Sequence, residues 1–131
     1  MKLESPKQII DKSPKQVYDF LNDLKNFEKI MPENMSKFEL LGENGFIFAL
    51  SGMPDVALQK KESSVPNKLI LEAAGGKLDF NLFVDIVKET ENSSRVQFLF
   101  NGDFNAMIAM MVKGPISKLI ETWAKNLQKI I

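Results

Sequence analysis

Along this chain the hydrophobic positions change their period twice, and the changes divide it into three parts. Residues 2–10 are mixed and end in Ile9 and Ile10, which predicts a first strand. Ser13 then suits a helix N-cap, Pro14 the first helical position, and Gln16 completes a capping-box pattern. Val17, Phe20, Leu21 and Leu24 follow at helical spacing, with Tyr18 one position off that stripe. Asn26 to Asn34 predict a second short helix or turn, stopped by Pro32, with Phe27, Ile30 and Met31 as its apolar face.

From about residue 35 to 104 the period is two. Phe46, Phe48 and Leu50 alternate with Ile47 and Ala49 after a turn at Asn44-Gly45. Pro54 opens the next run, and Asp55 beside it reads as a turn residue. Leu69, Leu71 and Ala73 predict a strand closed by Gly75-Gly76. Leu78, Phe80, Leu82, Val84 and Ile86 predict one face of the next strand, and Val96, Phe98, Phe100 and Phe104 the matching face of its hairpin partner. After Gly114-Pro115, where a helix would begin or bend, Ile116, Leu119, Ile120, Trp123, Leu127 and Ile130 recur at three and four.

The order is therefore strand, two short helices, about six antiparallel strands and a long helix. A sheet with one apolar face must cover that face, and the final helix is the element long enough to do so. This predicts an α+β fold in a single domain over residues 1–131.

SPKQVYDFLNDLKNFEKIMPENM resembles the opening of the START-like superfamily of polyketide cyclase/dehydrase and lipid-transport proteins. The hairpin-rich middle and the GPISKLIETWAKNLQKI helix are similar too, so the resemblance spans nearly the whole chain. It implies a helix-grip fold, a curved antiparallel sheet wrapped around the C-terminal helix with an internal apolar cavity. It does not fix the chemistry, because that superfamily holds carriers, cyclases, hydroxylase domains and chaperone regulators.

Composition narrows the chemistry. The chain has no cysteine and no histidine, so thiolate metal sites, disulfides and histidine-dependent triads are excluded, and no metal or cofactor is expected. Net charge is zero and Arg95 is the sole arginine, which argues against nucleic acid as a partner. With no signal-peptide core and no apolar run of spanning length, a cytoplasmic protein without stable membrane insertion is expected.

Met107, Met110 and Met111 share one face if this stretch is helical. They read as ordinary core, as an interfacial membrane helix, or as the wall of a pocket. The interfacial reading lacks a basic face, because only Lys113 follows before Gly114-Pro115. Taken as pocket wall, the three methionines join Met31, Phe48, Phe80, Leu82, Phe98 and Phe100 as ligand-binding residues for a small hydrophobic molecule such as a lipid, fatty acid or polyketide-like compound. Aspartate at Phe100 or Met111 would then abolish binding.

Polar candidates are few. Gly102 reads as a bulge at the cavity mouth, and Asp103 and Asn105 as polar groups there or simply as turn and cap residues. Phe83 and Leu99 interrupt the polar sides of their strands; brought opposite each other, they form a homodimer contact or a spot covered by a terminus. The leading expectation is a non-catalytic carrier or sensor. Two alternatives stay open: a cyclase or dehydrase using Asp103 or Tyr18 as its acid-base group, and an interaction module with a collapsed cavity.

Overall fold

A computed structural model describes residues 1–51, 53–75 and 79–131. Among them eight strands form one open antiparallel sheet: β1 (Lys2–Glu4), β2 (Gln8–Ile10), β3 (Met35–Leu40), β4 (Gly45–Leu50), β5 (Val56–Ser64), β6 (Lys68–Ala73), β7 (Phe80–Thr90) and β8 (Ser93–Gly102). Three α-helices accompany it, α1 (Pro14–Asn22), α2 (Phe27–Ile30) and α3 (Ala106–Ile130), with a 3₁₀ turn at Leu24–Asn26. The spatial order is β1-β8-β7-β6-β5-β4-β3, and β2 also pairs with β8. This is the helix-grip architecture.

The expected first strand is two short strands in line along β8. Ser5-Pro6-Lys7 separates them, because Pro6 has no N–H to give to a ladder. Ser5 repairs the gap: its N–H donates to the Phe98 carbonyl at 2.8 Å, and its hydroxyl accepts from the Phe98 N–H at 2.9 Å.

The N-terminal helix forms as its punctuation dictates. Ser13 Oγ accepts from the Gln16 N–H and the Gln16 side chain accepts from the Ser13 N–H, closing the capping box. Val17, Leu21, Leu24, Phe27 and Ile30 are buried, so α1 and α2 close one end of the sheet. The stripe is rotated from its expected position: Tyr18 is buried, while Phe20 is half-buried with the Lys29 ammonium 5.9 Å above its ring.

Inner-face residues alternate along the long hairpin. Phe80, Leu82, Val84 and Ile86 of β7 are buried opposite Gly102, Phe100, Phe98 and Val96 of β8. Leu78 and Gly76, expected in a strand and at a strand stop, lie outside the described residues. In the β3–β4 turn the left-handed position is Gly42, with φ +67°, and not the expected Asn44-Gly45 pair. Gly45 serves a different need, since a Cβ there would lie 2.9 Å from the Leu58 carbonyl oxygen.

Trp123 of α3 fixes the centre of the core. Its ring lies 5.2 Å from Phe27, 5.8 Å from Phe98 and 6.1 Å from Phe48, mostly in edge-on or tilted contacts that suit aromatic quadrupoles. The Asn126 amide nitrogen donates to the Ile30 carbonyl at 2.9 Å, pinning α3 to the end of α2.

Candidate ligand-binding site

The site is built by the N-terminal half of α3. Asn105 caps the helix, its Oδ1 accepting from the Ile108 N–H at 3.0 Å, so it is a cap residue and not a pocket group. The helix then runs through Gly114-Pro115 without ending. Pro115 cannot donate to the carbonyl one turn back, and a proline normally repels the residue before it from helical geometry. Gly114 removes that second obstacle because it has no Cβ to meet the proline ring.

Beneath this half lies a cavity of about 170 Å³. Its floor is Phe48 and Leu50 from β4, Phe80 and Leu82 from β7, and Phe100 from β8. Val112, Pro115, Ile116 and Leu119 of α3 form the roof. Phe104 closes one side, its ring 5.9 Å from Phe100, which in turn lies 5.2 Å from Phe80. The rim includes Met53 to Ala57 and Gly75.

One ionisable residue, Asp55, is found at the cavity among the described residues. Its Oδ2 accepts from Lys37 Nζ at 2.9 Å. Lys37 stands opposite Ala49, and Ala49 alternates with the floor residues Phe48 and Leu50, so this pair belongs to the outer face of the sheet. The Asp55 hydrogen bond and charge raise the Lys37 pKa against an opposing effect of desolvation, with Glu39 adding the least. The other side chains lining the cavity are apolar.

Of the residues read from the sequence as ligand-binding, the structure brings Phe48, Phe80, Leu82 and Phe100 together around the cavity. It places Met31 and Phe98 in the closed core beside Trp123, whose Nε1 donates to Met31 Sδ at 3.4 Å. Met107, Met110 and Met111 require a correction. They do share a helical face, but it points to solvent, and they are 73%, 83% and 69% exposed. They are therefore neither core nor cavity wall. Helical phase is the reason: the inward stripe, traced back from Trp123 in steps of three and four, passes through Leu119, Ile116, Val112 and Ile108, on the opposite side from the methionines. The sequence already showed that stripe from Ile116 onward, and tracing it back past Pro115 would have found Val112. Phe104 carried the alternation of Val96, Phe98 and Phe100 beyond the end of β8, whereas Met53, outside regular elements, carried no such signal.

The remaining polar candidates are also placed. Gly102 is not a bulge; it stays in register with Phe80, and a Cβ there would lie 2.6 Å from the Phe104 ring. Asp103 is exposed and Tyr18 is buried, and neither lines the cavity. On the outer face Phe83 does stand opposite Leu99, and Ile70 of β6 extends the row. Glu4 of β1 pairs with Leu99 edge to edge, so the N-terminal strand lies beside this row in the sheet.

No family model matches the chain, and no curated protein matches it. Its fold is nevertheless similar to many solved structures. The protein XoxI from Bacillus cereus superposes with a TM-score of 0.76 at 11% identity, covering 98% of this chain and 93% of that one. A norcoclaurine synthase point mutant from Thalictrum flavum, in complex with a transition-state analogue, gives 0.76 at 8% identity over 99% and 92%. The di-domain aromatase/cyclase BexL, from the BE-7585A biosynthetic pathway, gives 0.68 at 10% identity, covering 98% of this chain and 45% of that one. At these identities the likeness concerns the fold alone, and it agrees with the helix-grip architecture.

Proposed function

We propose that this protein binds a small, uncharged hydrophobic molecule in the cavity under the N-terminal half of α3, as a non-catalytic carrier or sensor. One observation carries the reading: a cavity of about 170 Å³ lined by apolar residues apart from Asp55, whose carboxylate is engaged by Lys37. Apolar cavities of about 150 Å³ take up benzene. Within the lipid, fatty acid and polyketide-like range, the reading therefore favours the smallest neutral members or a ring-sized part of a larger one. An ionised carboxylate would lose its water here without gaining a partner. Burying about 300 Å² of apolar ligand surface at ~25 cal/mol/Å² gives about 7 kcal/mol before association costs, which sets the expectation at micromolar affinity or weaker. A cytoplasmic location belongs to this reading on the sequence alone.

Isothermal titration with toluene, indole and benzoate tests it. Toluene and indole bind and benzoate does not, and Val112→Phe, which fills the roof, removes their binding while the protein stays folded. No uptake by the wild type, or equal uptake by the variant, would sink the proposal.

A second reading rests on the outer row of Ile70, Phe83 and Leu99. Three apolar side chains in register across adjacent strands suit a two-fold contact between copies. Sedimentation velocity of the wild type and of Leu99→Lys decides it: a dimer that the substitution dissociates supports the contact, and a monomer throughout removes it.

A further inference from the structure

We propose that the outward face of α3 docks the protein on an anionic lipid surface. The sequence alone counts against this, because the apolar run ends at Gly114-Pro115 with Lys113 as its one cation. The structure changes that count by continuing the helix past the proline. The face that begins with Met107, Met110 and Met111 then continues, one turn at a time, through Gly114, Lys118, Glu121 and Lys125. Lys118, Lys125 and Lys129 are all exposed. Lys118, Lys125 and Lys129 stand on this face against Glu121, a net +2 in a chain of net charge +0, so the face is cationic.

Two features select the occupant. Flexible thioethers, exposed at the front of the helix, suit a soft, chemically non-specific apolar medium. The lysines behind them suit anionic headgroups, and at a lipid surface each adds attraction that salt screens. A second copy aligned in parallel fits poorly, because it would set Lys118 and Lys125 against their own equivalents. Docking here is peripheral, since no helix among the described residues is long and apolar enough to cross a membrane. It also involves the segment that roofs the cavity, although the inference does not depend on what the cavity holds.

Co-sedimentation of the full chain with phosphatidylcholine vesicles, with and without phosphatidylserine, tests the proposal. The protein partitions onto the phosphatidylserine vesicles and leaves them at high salt. Replacing Met107, Met110 and Met111 together by glutamine lowers partitioning at least ~tenfold, and Lys118→Glu with Lys125→Glu lowers it about tenfold. Both variants keep the wild-type denaturation midpoint and toluene uptake. Equal binding to both vesicle types, or wild-type partitioning by the methionine variant, overturns the proposal. So does a wild-type dimer that the methionine variant dissociates, which would assign the face to a second copy.

Discussion

The two halves of α3 lie over the same sheet and do opposite things. The C-terminal half buries Leu119, Ile120, Trp123, Ala124 and Leu127, and α1 and α2 close that end from the side. The N-terminal half, from Ala106 to Lys118, has no fully buried residue, and the cavity lies beneath it. Side-chain reach accounts for the difference. At one end an indole extends from the helix into a ring of phenylalanines. At the other, valine, proline and isoleucine line the cavity together with Phe80 and Phe100. Space is left where short residues on the helix meet aromatic residues that already stack on each other.

Breaking the closed half should have the largest effect. Trp123→Ala removes the side chain shared by three phenylalanines and should cost about 3–5 kcal/mol in urea denaturation. A loss below ~1 kcal/mol would mean that the two halves are packed alike. Next comes Pro115→Ala, which restores a helical hydrogen bond in the loose half. It should raise stability by about 1–2 kcal/mol, the gain from helix propensity exceeding the lost stiffening of the unfolded chain. A destabilised variant would show that the proline ring packs tightly at the roof.

Met111→Asp is the sharper contrast to the sequence expectation. Its side chain is exposed, so stability should change by no more than ~0.5 kcal/mol and toluene affinity should stay the same. Loss of binding would return the methionine to the cavity wall.

The smallest effect belongs to the rim. Lys37 has its pKa raised above the ordinary 10.5 by Asp55. Its contribution is therefore fully present at neutral pH and fades as pH rises through the folded-state value. An exposed pair of this kind is worth little. Lys37→Gln should leave toluene binding unaltered at pH 7 and flatten stability only in the alkaline limb of a pH titration.

Much of this fold could be read from the chain because its signals are local. Ser13, Pro14 and Gln16 specify a helix start whatever the rest does. The alternation from Phe80 to Ile86 and from Val96 to Phe100 specifies two faces of one hairpin. Three of the cavity residues, Phe80, Leu82 and Phe100, follow from that alternation, and Phe48 from the like alternation in β4. The methionines failed for a reason of phase. Spacing of three and four shows that residues share a helical face, but only the continuation of the helix through Pro115 shows which face meets the sheet. Asp55 reads as a turn residue and lies at the cavity rim, yet its partner Lys37 comes from β3, across β4, a juxtaposition set by sheet order.

The most direct test of a cavity under one half of α3 is a methyl-resolved NMR titration with toluene. The account predicts shifts at Leu82, Val112, Ile116 and Leu119, with Met107, Met110, Met111 and Leu127 unmoved. Shifts confined to the three exposed methionines, or spread to Leu127 and the Trp123 core, would contradict it.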